Sequence, residues 1–107
     1  MIIMHGLFDL MENVNEGQFR RSFEPFSDHL TANSMVLSCR FMRHQDHEGY
    51  NADPPATKYY VSMEFLDMDY AERCWDYFQE NKEPIKSLHT AVFSKVQNSS
   101  FFLTSDT

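Results

Sequence analysis

The chain has 107 residues, of which 42% are hydrophobic and 15% aromatic, enough for one domain with its own apolar core. Its net charge of -7 at pH 7 repels phosphate backbones and anionic lipid headgroups. We therefore expect a single domain over residues 1–107 that binds neither nucleic acid nor membranes.

The N-terminal residues carry no basic flank and no long apolar run, so we expect neither a signal peptide nor a transmembrane span. The cysteines are Cys39 and Cys74, without metal-type or redox-type spacing. Reduced thiols and a cytoplasmic location are the favoured interpretation. A disulfide between the two cysteines is the less favoured alternative, because both lie on the apolar side of their predicted elements.

Taken in chain order, the first strand is predicted from Ile2 to Met11, with Gly6 marking a bulge or a close backbone approach. Its apolar face carries Ile2, Met4, Phe8 and Leu10, and its other face carries His5, Leu7 and Asp9. Asn15 is a suitable N-cap for a helix over residues 16–30 whose apolar residues are Phe19, Phe23, Phe26 and Leu30. Pro25 predicts a kink or a restart within that helix.

The second strand is predicted from Met35 to His44. One face carries Met35, Leu37, Cys39 and Phe41, and the other carries Val36, Ser38, Arg40 and Met42. Residues 45–57 are rich in polar and turn-forming residues, which predicts a long hairpin loop that could cover a pocket mouth.

The third strand, residues 58–66, alternates Tyr59, Val61, Met63 and Phe65 with Lys58, Tyr60, Ser62 and Glu64. Asp69 and Glu72 can form a capping box for a helix with apolar residues Met68, Ala71, Trp75 and Phe78. Pro84 suits the first position of another helix, ending near Lys95, with Ile85, Leu88, Val92 and Val96 as its stripe. A last strand covers residues 99–104.

The predicted order is β-α-β-β-α-(α)-β, an α+β, ferredoxin-like arrangement with a four-stranded antiparallel sheet and helices on one face. The opposite face, which we call the bare face, is too apolar for open water and too polar for a dry core. Its predicted members are His5, Leu7, Asp9, Val36, Ser38, Arg40, Met42, Tyr60, Ser62, Glu64 and Leu66. We expect it to pack against a second copy or to enclose a wet pocket.

The Tyr-Val-Ser-Met-Glu-Phe strand entering a Trp-bearing helix, and the closing Phe-Phe-Leu-Thr strand, resemble the dimeric α+β barrel superfamily. That superfamily includes antibiotic-biosynthesis-type monooxygenases, stress-responsive barrel proteins and EthD-like proteins. The resemblance covers nearly the whole chain and implies a homodimer with sheets face to face, often around a cavity. It leaves function open, because members range from cofactor-free oxygenases and haem-degrading enzymes to lyases and proteins without known activity.

The sharpest candidate site combines His5, Arg40 and Glu64 with Tyr60, because alternation brings them to one side of adjacent strands. A base, a cation and an acid there could bind an anionic or phenolic ligand and move a proton. We therefore predict His5, Arg40 and Glu64 as catalytic. The predicted ligand-binding residues are Tyr60, Ser38, Ser62 and Trp75. The favoured alternative is a structural network at a dimer interface.

Other titratable residues lie outside this candidate site. His44, Asp46, His47 and Glu48 carry metal-ligand side chains, but a solvated loop is the favoured interpretation and no metal is predicted. His29 and His89 are expected at surface or cap positions. No phosphate-binding glycine loop is present, so a nucleotide cofactor is not expected. The resemblance allows haem, but no residue is singled out as an axial ligand, and no cofactor is predicted. The predicted function is a homodimer that binds a small organic molecule, with oxygenase or lyase chemistry if it is an enzyme. The alternative is a non-catalytic interaction dimer.

Overall fold

A computed structural model describes residues 1–107 and contains four strands and three helices. Their order is β1 (Ile2–Leu10), α1 (Glu16–Ala32), β2 (Ser38–Arg43), β3 (Tyr59–Phe65), α2 (Met68–Gln79), α3 (Ile85–Phe93) and β4 (Val96–Ser105). The strands form one antiparallel sheet in the order β2-β3-β1-β4. This is the predicted ferredoxin-like α+β fold, which is confirmed.

The core lies between the helices and one face of the sheet, and aromatic rings fill much of it. Phe19 of α1 packs on Phe8 of β1 and Phe41 of β2, with ring centroids 5.3 and 4.7 Å away. The four apolar positions predicted for α1 are all buried. The alternating residues predicted to face the core from β1 and β3 all belong to it or pack against it. Period-two alternation therefore located the core face of both central strands.

Helix α1 continues through Pro25, so the predicted restart does not occur. A capping box starts the helix, since Asn15 accepts a hydrogen bond from the Gln18 N–H at 2.8 Å and Gln18 accepts one from Asn15 N–H at 2.9 Å. Phe23 and Phe26 are buried on either side of the exposed Pro25. Burial of these flanking rings holds the helix together, while water can reach the side of the helix where the proline removes a hydrogen bond.

Strand β2 begins later than predicted, and two face assignments are wrong as a result. Val36 is buried against the core, whereas Leu37 is half exposed. Both residues precede the strand and follow a turn in which Ser34 has a φ of 56°. Because strand geometry starts only at Ser38, the alternation cannot be extended back through these two positions.

The second half of the chain also differs in detail. The N-cap of α2 is Asp67, whose carboxylate accepts from the Tyr70 N–H at 3.1 Å, so the Asp69–Glu72 capping box is wrong. The buried residues of α2 are Ala71 and Cys74, while Met68 and Trp75 are exposed. Pro84 directly precedes α3, and Val96 belongs to β4. Helix α2 therefore buries a different set of residues from the apolar stripe predicted from helical spacing.

Strand β4 contacts β1 closely at Gly6. A Cβ at Gly6 would lie 2.8 Å from side-chain atoms of both Phe101 and Val61, so neighbouring side chains, and not a backbone, fill the space over Gly6. A β-bulge follows farther along the pairing of β1 with β4. Leu7 pairs with Ser100 and Asp9 pairs with Gln97, so β4 advances three residues where β1 advances two. Asn98, with a φ of 54°, lies in this bulge.

Both cysteines are free, and both thiols lie against the core. Burial raises the pKa of Cys39 to about 11 and that of Cys74 to about 12. Neutral, buried thiols of this kind act as small hydrophobic side chains. None of the three helices combines the length and apolar character needed to cross a membrane.

Candidate functional site

The bare face is organised in rows that cross all four strands. Pairing aligns Arg40, Ser62, His5 and Phe102 in one row. The neighbouring rows are Met42, Tyr60, Leu7 and Ser100, and then Ser38, Glu64, Ile3 and Thr104. The predicted sheet-face residues of the site therefore share one face, as alternation requires.

His5 lies at the centre of a hydrogen-bond network on this face. Its Nδ1 lies 2.7 Å from the Tyr60 hydroxyl and its Nε2 lies 2.8 Å from the Thr104 hydroxyl. Its ring also stacks on Phe102, with centroids 4.8 Å apart. The structure thus brings His5 and Tyr60 together, and both imidazole nitrogens already have partners within the chain.

Arg40 and Glu64 do not join this network. Ser62 lies between Arg40 and His5 in their row, which separates the two backbones by two strand spacings, or about 10 Å. Neither charged side chain forms a salt bridge; the ion pairs of the chain are Arg43 with Glu16 and the N-terminus with Asp106. The predicted catalytic group therefore shares a face without forming one contiguous cluster.

The two predicted serines are buried by their neighbours. Ser62 is only 5% exposed between the strands on either side. The Ser38 hydroxyl is buried without a hydrogen-bond partner. An unpaired buried hydroxyl costs stability, and because this oxygen has almost no accessible surface, a second molecule could not reach it without a local rearrangement.

A large apolar cleft lies on the other side of the sheet, beneath α2 and α3. Its volume is about 720 Å³, and 19 of its 24 lining residues are hydrophobic. Strand residues include Met4, Met63, Phe101 and Leu103, and helix residues include Ala71, Cys74, Trp75, Phe78, Val92 and Phe93. A volume of this size is within the range of small-molecule sites, about 300–1,000 Å³.

Trp75 lies at this cleft, and of the other predicted ligand-binding residues only Ser62 also lines it. Trp75 lines the cavity and remains 65% exposed. The role of Trp75 in ligand binding stays a prediction. The sheet separates Trp75 from the His5 network, so the seven predicted site residues fall into two groups on opposite faces.

His89 is the one histidine in the cleft lining. It is half buried and stacks between Phe78 and Phe93, with ring centroids 4.9 and 5.6 Å away. Burial lowers its pKa below the ordinary value of 6.5, so the imidazole is neutral near pH 7. The expected surface or cap position is wrong for His89. Its spacing from Ile85 and Phe93, four residues each way, could have placed it on the apolar stripe.

Two further histidines, His29 and His47, have hydrogen-bond partners within the chain. The His29 Nε2 lies 2.6 Å from the Tyr77 hydroxyl and so links α1 to α2. In the loop after β2, His47 Nδ1 accepts hydrogen bonds from the N–H groups of Gly49 and Tyr50. No group of three or more His, Cys, Asp or Glu side chains is arranged to hold a metal ion. His44, Asp46, His47 and Glu48 thus form part of a loop with no metal-ligand cluster.

The fold matches several solved structures. The protein At3g17210 from Arabidopsis thaliana has a TM-score of 0.77 at 6% identity, over 100% of this chain and 96% of that chain. A dimeric protein of unknown function and ferredoxin-like fold from Bacteroides fragilis has a TM-score of 0.59 at 14% identity, over 97% and 95%. A DABB family protein from Mesorhizobium loti has a TM-score of 0.63 at 16% identity, over 99% and 96%.

An antibiotic biosynthesis monooxygenase and an EthD family protein from Bacillus halodurans also match, so the predicted resemblance is confirmed. At these identities the likeness shows the fold alone. No curated protein sequence matches the chain significantly. The family model described as "Family of unknown function (DUF6614)" matches residues 1–106, and the chain belongs to that family.

Proposed function

We propose that the protein is a homodimer that binds a small, mostly apolar organic molecule in the cleft between the sheet and helices α2 and α3. The observation that supports ligand binding is the cleft itself, with about 720 Å³ of space and a lining that is hydrophobic at 19 of 24 positions. An apolar cavity with a few polar groups is the usual form of a small-molecule site.

Homodimer formation is supported by the bare face. Met42 and Phe102 are 45% and 49% exposed there, a poor arrangement for apolar side chains in water. The matched Bacteroides fragilis protein is described as dimeric with a ferredoxin-like fold. Packing two bare faces together would remove this apolar surface from water.

Catalysis by His5, Arg40 and Glu64 remains a prediction for the bare face. Oxygenase or lyase chemistry there would use His5 to move a proton, Arg40 to hold an anionic group and Glu64 to orient them. The competing proposal, a non-catalytic dimer, is favoured by the full hydrogen bonding of His5 to Tyr60 and Thr104. A cytoplasmic location is proposed on the basis of the two free thiols.

Binding of the uncharged dye Nile red tests the cleft, because its emission rises when it enters an apolar site. We expect saturable binding to the folded protein, and about tenfold weaker binding to Val92→Phe, which fills part of the cleft. Leu37→Phe adds a similar bulk at a half-exposed position outside the cleft and is the control. Equal affinity in all three proteins, with unchanged circular dichroism, would contradict ligand binding in the cleft.

A further inference from the structure

The cleft carries polar groups of only one charge sign. Its five polar lining residues are Ser62, Glu72, Asp76, Gln79 and His89. Glu72 and Asp76 are exposed on α2, one turn apart, at the rim. No lysine or arginine lines the cleft. A ligand carboxylate would therefore meet two like charges and no counter-ion.

The lack of a lysine or arginine in the cleft matters more than the rim charges alone, because a bound carboxylate would be buried there. A carboxylate that leaves water for an apolar cavity loses its hydration and must be paired, or its binding is weakened severely. Arg40, the residue predicted to hold an anionic group, is on the opposite face of the sheet. The net charge of -7 adds a long-range repulsion of anions.

His89 can form a hydrogen bond with a ligand group that carries no negative charge. It lines the cleft between two aromatic rings, and its ring nitrogens have no hydrogen-bond partner within the chain, unlike those of His5 and His29. A neutral imidazole has one nitrogen that accepts a hydrogen bond and one that donates. It can therefore bind a hydroxyl group of a ligand whose apolar part fills the cleft. It can also accept a hydrogen bond from an alkylamine, which is a cation near pH 7 and whose charge the carboxylates of Glu72 and Asp76 can offset.

We infer that the cleft selects lipophilic molecules that have no negative charge and that present a hydroxyl or amine group to His89. This inference rests on the proposed function, since it names the class of molecule that the cleft would bind. It predicts lipophilic alcohols, phenols and amines as ligands, and it excludes fatty acids and other apolar carboxylates.

Three probes of matched shape test the charge selection: phenylbutanol, phenylbutylamine and phenylbutyrate. Trp75 is the only tryptophan and lines the cleft, so its fluorescence reports occupancy directly. We expect the alcohol and the amine to change the emission of Trp75 saturably, and phenylbutyrate to bind at least about tenfold more weakly.

Two double variants, each lacking two carboxylates, test whether Glu72 and Asp76 cause the weaker binding of phenylbutyrate. Glu72→Gln with Asp76→Asn should strengthen phenylbutyrate binding severalfold relative to phenylbutanol. Glu24→Gln with Asp28→Asn removes the same charge at the same spacing on exposed positions of α1, outside the cleft, and should not change the ratio. His89→Phe keeps the aromatic stack and should weaken phenylbutanol about fivefold while Nile red binding is retained.

The outcomes distinguish a failure of ligand binding in the cleft from a failure of the inferred selection against negative charge. If neither Nile red nor any of the three probes binds, the proposed function fails and the inference falls with it. If the cleft binds Nile red but phenylbutyrate binds as tightly as phenylbutanol, ligand binding stands and the inference of charge selection is overturned. An undiminished phenylbutanol affinity in His89→Phe would overturn the assigned role of His89.

Discussion

At the scale of the residue, His89 should make the stability of the fold depend on pH. Burial lowers its folded-state pKa below the ordinary value of 6.5. As the pH falls below 6.5, the unfolded chain binds a proton that the folded chain does not, so the free energy of unfolding decreases. The decrease stops below the folded-state pKa, where both states are protonated. Urea denaturation at a series of pH values between about 5 and 8 measures this slope.

The variant that isolates this contribution is His89→Phe, which preserves the stack on Phe78 and Phe93 but cannot be protonated. Its unfolding free energy should fall less between about pH 6.5 and 5 than that of the unmodified chain. His44→Gln removes a loop imidazole outside the cleft and should keep the slope, because His89 is still present. An identical slope in the His89→Phe protein and the unmodified chain would show that His89 is not the source.

At the scale of the element, the packing of the Phe101 side chain of β4 over β1 depends on Gly6. Gly6→Ala would place a Cβ 2.8 Å from Phe101 and Val61, so the strands or the side chains must shift. We expect a loss of about 1–3 kcal/mol in the free energy of unfolding. Because Phe101 lines the cleft, Nile red binding should weaken as well.

Gly17→Ala is the matched control for this substitution. Gly17 is in the first turn of α1, and an added Cβ there meets nothing closer than 3.4 Å. Alanine should stabilise that helix by up to about 1 kcal/mol. Urea denaturation of both variants compares the two effects, and equal stability changes would contradict the packing of Phe101 over Gly6.

Element prediction from sequence worked where local patterns and burial coincide. The alternation of β1 and β3 holds because both strands are central and each has one face against the core. The alternation predicted for the second strand failed at Val36 and Leu37. A turn with a positive φ at Ser34 precedes these residues, and the strand geometry of β2 begins only after them. In α2 the small residues Ala71 and Cys74 are buried, whereas Trp75 stays exposed at the cleft, because the rotation of the helix is set by its tertiary packing and not by its own sequence.

At the scale of the whole molecule, Met42→Asp tests the homodimer. Met42 is exposed on the bare face, so a carboxylate there should keep a proposed sheet-to-sheet interface from closing. We expect the unmodified chain to have the mass of two chains by native mass spectrometry and Met42→Asp to shift towards one chain with lower stability. Tyr50→Asp, at a loop residue that is 91% exposed, should remain a dimer. A single-chain mass for the unmodified protein would contradict the proposed homodimer.

The sequence by itself determined the order of elements, the ferredoxin-like sheet and the presence of an apolar surface beyond the core. These follow from periodicity and composition, which act over a few residues or over the whole chain. Only the tertiary structure decided that Trp75 and His89 share a cleft, while His5 and Tyr60 bond on the opposite face. Such contacts depend on strand register and helix rotation, and both are set by packing between residues far apart in the chain.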